Sequence, residues 1–517
     1  MPSTAPAILN ALTDNVATLR DIRRGIEKES LRINALGELA KTPHPAALGS
    51  ALTHPRITTD FSEALLEFIT PVSTDIDTTL NQLTDIHRLV YASLEGELLW
   101  PGSMPCLLGP DDEIPVAQYG SSNVARMKTL YRLGLGRRYG RRMQTIAGIH
   151  YNFSVPDSLW QWLADAKGRE ADQDFKTESY FGLIRNFRRY SWLLIYLFGA
   201  APAVCSCFLE GKTNGLQTLK KGTLYHPYGT SLRMGDLGYQ SDAQSNLSIC
   251  YNTLDNYIRT LKKAIVTPHA DYMQIPASEQ LSAGLLQIEN EFYSPIRPKR
   301  VTASGQTPLG ALKQGGVEYI EVRCIDVNPE TPIGITREQI QFLDAFLLFC
   351  LLADSPVCNE SVYAEIGANL HKVVDQGRQP GLTLSNHGEE VALADWAQSI
   401  LDGVSNTAQA LDSAHSSDSY QQIVEQMRTV VQEPETTPSA RLLTILRDRD
   451  LSYFDYMMQR AREQAAYYAN KPLSPSELQA TRQTGEESLA QQREVENADA
   501  IDFDQYLSDY YRQYDLL

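Results

Sequence analysis

Glu27 and Glu29 stand two residues apart in the stretch Arg24-Gly25-Ile26-Glu27-Lys28-Glu29-Ser30-Leu31-Arg32-Ile33-Asn34. That stretch reads as a β-strand, and alternate residues of a strand share a face. Gly25, Glu27, Glu29, Leu31 and Ile33 therefore point one way, with two carboxylates side by side. Two bare carboxylates roughly 7 Å apart repel by about 2 kcal/mol at an effective dielectric near 20. A divalent cation turns that repulsion into attraction, and oxygen-rich sites suit Mg²⁺ or Mn²⁺. The plain alternative is two solvated glutamates on an exposed strand.

Other stretches offer similar groups. Residues 64–71 read as a strand closed by Pro71, and Glu67 shares a face with Leu65 and Ile69. Asp60 has the opposite parity, so it joins Glu67 only if a bulge or loop intervenes. Residues 144–155 give the clearest alternation. Ile149, Tyr151, Phe153 and Val155 form a core face, and His150 lies on the other with Ile146, Gly148, Asn152 and Ser154. Residues 286–293 alternate too, with Glu289, Glu291 and Tyr293 on one face, and the basic turn Arg297-Pro298-Lys299-Arg300 follows. Glu321 and Arg323 share a face of a further strand over 317–326, where a simple ion pair is the plain reading.

Helices must hold these strands. Apolar residues recur at helical spacing from 73 to about 100, and 174–198 and 253–265 read as helices. A short helix is expected over 8–20 and a buried strand over 203–209. Beyond about 335 the chain reads as mostly helical, with a partly mobile region near 473–500. We expect residues 1–430 to form a catalytic unit and 431–517 a helical extension packed on it.

The whole chain of 517 residues carries a net charge of −17, which argues against a general nucleic-acid or membrane-surface binder. Locally the sign reverses. From 114 to 156 there is no Asp or Glu, while Arg126, Lys128, Arg132, Arg137, Arg138, Arg141 and Arg142 fall in that window. Arginine recognises phosphate and carboxylate through paired hydrogen bonds, so one or two of these should meet ligand. The uncharged run at 191–209 is interrupted by Gly199 and Pro202 and reads as a buried helix and strand, not a membrane span. Seven cysteines show no zinc spacing and no disulfide framework, which fits a reducing cytoplasm.

Carboxylates (Glu27, Glu29, Glu67, Glu321), an imidazole (His150) and arginines (Arg132, Arg233, Arg323) suit two or three Mg²⁺ ions holding a nucleoside triphosphate. Gly134-Leu135-Gly136 lacks the lysine and spacing of a P-loop. Nucleotide held by metals on a sheet, without a P-loop, points to ligases of the glutamine-synthetase type.

Longer runs sharpen this. Arg-Gly-Ile-Glu-Lys-Glu-Ser-Leu-Arg (24–32), Ser-Ala-Leu-Thr-His (50–54), the run at 57–71, Gly-Ile-His-Tyr-Asn-Phe-Ser (148–154), Ser-Leu-Arg-Met-Gly-Asp-Leu-Gly-Tyr (231–239), the run at 287–300 and Tyr-Ile-Glu-Val-Arg (319–323) closely resemble bacterial glutamate–cysteine ligases. The resemblance runs over roughly residues 20–385 and weakens towards the C-terminus.

It implies an α+β fold with a mainly antiparallel, bowl-shaped sheet and surrounding helices, as in glutamine synthetase. It also implies ATP-dependent joining of the γ-carboxylate of L-glutamate to the α-amine of L-cysteine through a γ-glutamyl phosphate, the first step of glutathione synthesis. Carried over by position, Glu27, Glu29, Asp60, Glu67, His150 and Glu321 would bind two or three Mg²⁺, with Mn²⁺ as the alternative. Arg233 would hold glutamate, and Arg132 and Arg323 the transferring phosphoryl group. Tyr239 and Tyr293 would bind the cysteine carboxylate, and Phe61, Tyr131, Leu135, Gln144 and Ile146 would shape its side-chain pocket. A cytoplasmic monomer is implied. The alternatives are a ligase of the same fold with another amine acceptor, or a catalytically inactive regulator. The complete acidic set argues against the last.

Overall fold

The alternation around Glu27 forms the long strand β1 (Arg23–Ile33), which organises a seven-stranded sheet. The computed structural model describes residues 12, 15–105, 107–209, 214–220, 222–238, 244 and 247–517. In chain order the strands after β1 are β2 (Ile57–Thr59), β3 (Leu65–Ile69), β4 (Leu98–Leu99), β5 (Ile149–Ser154), β6 (Ala203–Cys205), β7 (Gln217–Lys220), β8 (Thr223–Tyr225), β9 (Ile296–Lys299), β10 (Tyr319–Ile325), β11 (Thr383–Asn386) and β12 (Glu389–Ala392), the last two pairing with each other. The main sheet runs β2-β3-β1-β5-β10-β9, with β4 also on β1, and all its pairings are antiparallel. β6–β8 form a small second sheet.

Register gives the main sheet two different faces. Lys28 is opposite Phe68 and Ile149, Ile26 opposite Tyr151, and Val322 opposite Tyr151. This face packs on the helix Gln173–Phe198, whose C-terminal half is mostly buried, and on the nearly wholly buried helix Arg337–Leu352. The second begins with a capping box, Thr336 and Gln339 each bonding the other's backbone. Its Asp344 accepts from Arg24 at 2.9 Å and from the Tyr151 hydroxyl at 2.6 Å, all in the interior. One carboxylate thereby ties a core helix to β1 and β5.

Several expectations change. Residues 286–293 are not a strand but a turn around the 3₁₀ segment Glu289–Glu291. Residues 297–300 are not simply a turn, because β9 takes up Arg297, Pro298 and Lys299 as the sheet's edge, where a missing N–H is tolerated. The strand over 144–155 is shortened by the 3₁₀ segment Met143–Thr145. The 203–209 strand ends at Cys205 and continues as the 3₁₀ segment Ser206–Leu209. The expected 8–20 helix lies mostly outside the described residues, and Val16–Leu19 is a 3₁₀ turn. Pro475–Asn497 is one helix, anchored where Ser50 N and the Thr53 hydroxyl donate to Ser488 at 3.0 and 2.6 Å. Cys205 is disulfide-bonded, a single bond that cysteine spacing does not reveal. Among the described residues no helix is long and apolar enough to cross a membrane.

Candidate active site

The carboxylates meet because the strands pair in the required register. Glu29 lies opposite Glu67, Glu27 opposite His150, and Glu321 opposite both Asn152 and Arg297. Directly paired residues share a face, so five strands present one continuous polar surface. Asp60, of the wrong parity for the strand, follows the end of β2 in a bend and so reaches the same cavity. Glu27, Glu29, Asp60, Glu67, His150 and Glu321 all line one cavity of about 270 Å³.

Within it, His150 Nδ1 lies 3.3 Å from Glu27 and 3.8 Å from Glu321, and its Nε2 lies 3.6 Å from Glu29. Glu27, Glu67 and His150 each offer a ligating atom, all within 4.8 Å of one another. Asn152 donates to Glu27 at 2.8 Å, and the Gly148 amide to Glu29 at 2.6 Å. His150 Nε2 and Glu321 Oε2 are buried without a hydrogen-bond partner. Polar atoms left so in a native interior call for an explanation. Oxygen donors crowded together around an imidazole fit a hard divalent cation.

Environment separates chemically identical groups. Burial, aided by Asp60, pushes Glu29 up to about 8. Burial and the neighbouring Glu27 raise Glu67 well above the carboxylate range. Burial acts the same way on Glu321, but Lys299 and Arg323 outweigh it and hold that carboxyl well below its usual range. Burial lowers His150, with Arg323 adding to the effect. Neighbouring cations thus favour the charged form of Glu321, while burial and facing acids disfavour it at Glu29 and Glu67.

Arg132 and Arg323 line the cavity. Arg323 lies 3.2 Å from Glu321, and Arg132 donates to the Asp60 carbonyl and to that of Lys128 at 2.9 Å. Of the basic residues between 114 and 156, Arg132 is the one on this cavity. Arg138 is instead buried against Glu291 at 2.9 Å, and Arg137 pairs with Glu279. Arg233 is buried just beneath, donating to the Arg323 carbonyl at 2.6 Å. A Cβ at Gly148 would lie 2.0 Å from the Arg233 guanidinium, so this close approach requires glycine. At the far end Phe61, Tyr131, Leu135, Gln144, Ile146 and Tyr293 also line the cavity, and Gln144 donates to the Tyr293 hydroxyl at 2.7 Å. Tyr239 lies outside the described residues.

Sequence reading missed Lys299, Arg297, Asn290 and Met143, which share this cavity. Lys299 lies 3.3 Å from Glu321. A second cavity of about 420 Å³ continues along the sheet, shares Glu27 and Asn152's strand, and is lined by Gly25, Thr70, Val155, Arg300 and Tyr319. A wider cavity of about 1010 Å³ opens elsewhere, beside Lys41, Leu107 and Arg142. Its Glu97 is already bound to Arg32 at 2.7 Å, and among the described residues no metal-ligating set converges there.

Known proteins resemble this chain over nearly its whole length. The family model for glutamate-cysteine ligase matches residues 9–373. A glutamate–cysteine ligase of Azotobacter vinelandii is 50% identical over 505 residues, covering 96% of this chain and 95% of the relative. One from Alcanivorax borkumensis is 49% identical over 520 residues, covering 98% of each. The crystal structure of the Francisella tularensis glutamate–cysteine ligase in complex with AMP superposes with a TM-score of 0.90 at 34% identity, over 96% of this chain and 98% of that one. A bifunctional glutathione synthetase from Pasteurella multocida gives a TM-score of 0.71 at 27% identity, over 90% of this chain and 55% of that one. With a matching family model over more than half its length, and relatives near half identical end to end, the chain belongs to the glutamate–cysteine ligase family.

Proposed function

We propose that the two joined cavities carry out the reaction of this family, joining the γ-carboxylate of L-glutamate to the α-amine of L-cysteine with consumption of ATP. The observation that carries the reading is the convergence of Glu27, Glu29, Asp60, Glu67, His150 and Glu321 on one face of the sheet, beside a second cavity that shares Glu27. The AMP bound to the Francisella relative supports a nucleoside site in a fold of this kind. The second cavity is large enough for that end of ATP. Its polyphosphate then crosses Glu27 into the first cavity, where Lys299, Arg132 and Arg323 meet the phosphoryl oxygens.

Glutamate lies against Arg233, with its γ-carboxylate towards the phosphoryl group. Carboxylate oxygen attacks the γ-phosphorus, a P–O bond to ADP breaks, and γ-glutamyl phosphate forms. The cysteine amine then attacks the acyl carbon, loses a proton, and expels phosphate. Both steps place negative charge on phosphoryl oxygens, which the fixed cations stabilise without having to reorganise. Two or three bound Mg²⁺, or Mn²⁺, would supply further charge neutralisation, held by the six acidic and imidazole side chains. Tyr293, fixed by Gln144, and Tyr239 bind the cysteine carboxylate, and the pocket from Phe61 to Ile146 takes the thiol side chain. The protein works as a monomer in the cytoplasm, with residues 1–430 as the catalytic unit and 431–517 packed upon it.

ADP release measured with ATP, Mg²⁺ and glutamate tests this. Strong turnover on adding cysteine, and little with other amino acids, is the expected result. Turnover with a different amine would assign a different acceptor, and none with any amine would remove the activity.

A further inference from the structure

The helix Phe503–Asp515 carries four tyrosines, Tyr506, Tyr510, Tyr511 and Tyr514. Two of its tyrosines bond the segment that carries Tyr293. The fully buried Tyr514 donates its hydroxyl to Glu289, whose other oxygen accepts from the Leu309 amide at 2.7 Å. Tyr511 donates to the Gln287 carbonyl at 2.7 Å. Gln513 accepts from the Thr307 amide at 3.0 Å and donates to the Gly305 carbonyl at 2.8 Å.

From this turn, bonds lead into the cavity wall. The Gln287 side chain donates to the Tyr131 carbonyl at 3.2 Å and packs against Gly134, where a Cβ would lie 2.1 Å away. Glu291 accepts from Arg138 at 2.9 Å and from Tyr139 at 2.7 Å, clamping the turn to the helix Asn123–Tyr139 that bears Tyr131 and Leu135. At the acidic end Glu27, Glu29, Glu67, His150 and Glu321 are set by strand register instead.

We propose that Tyr511 and Tyr514 are positioning residues for the amine-substrate end of the cavity, the last helix setting the 287–293 turn and with it Tyr293 and Tyr131. This rests on the reading that Tyr293 binds cysteine. Glu289 is buried, so loss of the Tyr514 hydroxyl leaves a carboxylate oxygen without its donor, and the turn must shift to find another. Tyr511 acts on the same turn two residues earlier.

Steady-state kinetics on the full chain, varying each substrate in turn, test the proposal with Tyr514→Phe, Tyr511→Phe and, as control, Tyr293→Phe. The two helix variants are expected to raise the cysteine KM about fivefold, the effect of one lost hydrogen bond, and to leave the KM for ATP and glutamate unchanged. Tyr511 is only partly buried, so its variant keeps the test valid if Tyr514→Phe folds poorly. An unchanged cysteine KM in both helix variants, with a raised one in Tyr293→Phe, would overturn the positioning role and leave the site reading intact. A rise in all three KM values together would also overturn it, as general loosening. An unchanged cysteine KM in Tyr293→Phe would overturn the reading of the cysteine end itself, and the positioning role with it.

Discussion

Glu27 and Glu321 are identical in chemistry to Glu29 and Glu67 but differ in what surrounds them. Glu321 has Lys299 at 3.3 Å and Arg323 at 3.2 Å, whereas Glu67 faces Glu27 and Glu29. Burial opposes the charged form at both Glu321 and Glu27, but those cations at Glu321, and the His150 hydrogen bond and Lys299 at Glu27, outweigh it and favour charge before any ligand binds. Replacing either by glutamine removes that charge at nearly constant shape. Turnover should fall at least about a hundredfold, the scale of losing one preorganised electrostatic contact. Near-normal rates for both variants at saturating Mg²⁺ would place these side chains outside the chemistry. Single residues were legible in the sequence where strict alternation exposed them, as with Glu27, Glu29 and His150. Asp60 was not, because a bend rather than a strand carries it. Lys299 was missed for a related reason: Arg297, Pro298 and Arg300 around it look like a turn, and only pairing with β10 makes that segment a strand.

At the scale of elements, the sheet depends on the helix beneath it. Asp344 is fully buried in the helix Arg337–Leu352 and serves both Arg24 of β1 and Tyr151 of β5. Asp344→Asn would leave the Arg24 guanidinium buried without its counter-charge. A broken buried pair of this kind costs about 3–5 kcal/mol, to be read from denaturant unfolding. Asp344→Leu combined with Arg24→Met should recover much of that loss, because no lone charge remains. A double variant no more stable than Asp344→Asn would show that the pair is not coupled. Helical periodicity made the long helices readable, including Gln173–Phe198. It could not reveal that residues 286–293 bend. Their alternation of Glu289, Glu291 and Tyr293 mimics a strand, yet the two acids point to opposite partners, Tyr514 and Arg138. Only the tertiary partners decide between the two conformations.

The whole molecule brings carboxylates from positions 27 to 321 onto one surface, in a chain whose net charge is already −17. Such convergence is invisible to local patterns: each acid taken singly has a plain solvated or ion-paired reading, and only the inventory of all of them points to metal-held nucleotide. The assembled site stores like-charge repulsion that a bound cation would relieve, and in the proposed reaction the adjoining cavity would place an anionic polyphosphate beside the same acids. Cation and nucleotide should therefore bind cooperatively: the ion screens the phosphates from Glu27, and the phosphates add oxygen ligands to the ion. A ligand at a hundred times its Kd stabilises the folded state by about 2.7 kcal/mol. With an unfolding entropy of about 2.1 cal/mol/K per residue, a chain of this length should gain about 2–3 °C in Tm. We expect thermal scans to show that much with Mg²⁺, little with ATP in chelator, and more than the sum with both. Glu67→Gln should abolish most of the Mg²⁺ shift while leaving the ligand-free Tm near or above that of the wild type, since it also removes a repulsive carboxylate. Equal shifts with ATP in the presence and absence of Mg²⁺, or an undiminished Mg²⁺ shift in Glu67→Gln, would separate the nucleotide from the acidic cluster and refute their joint site.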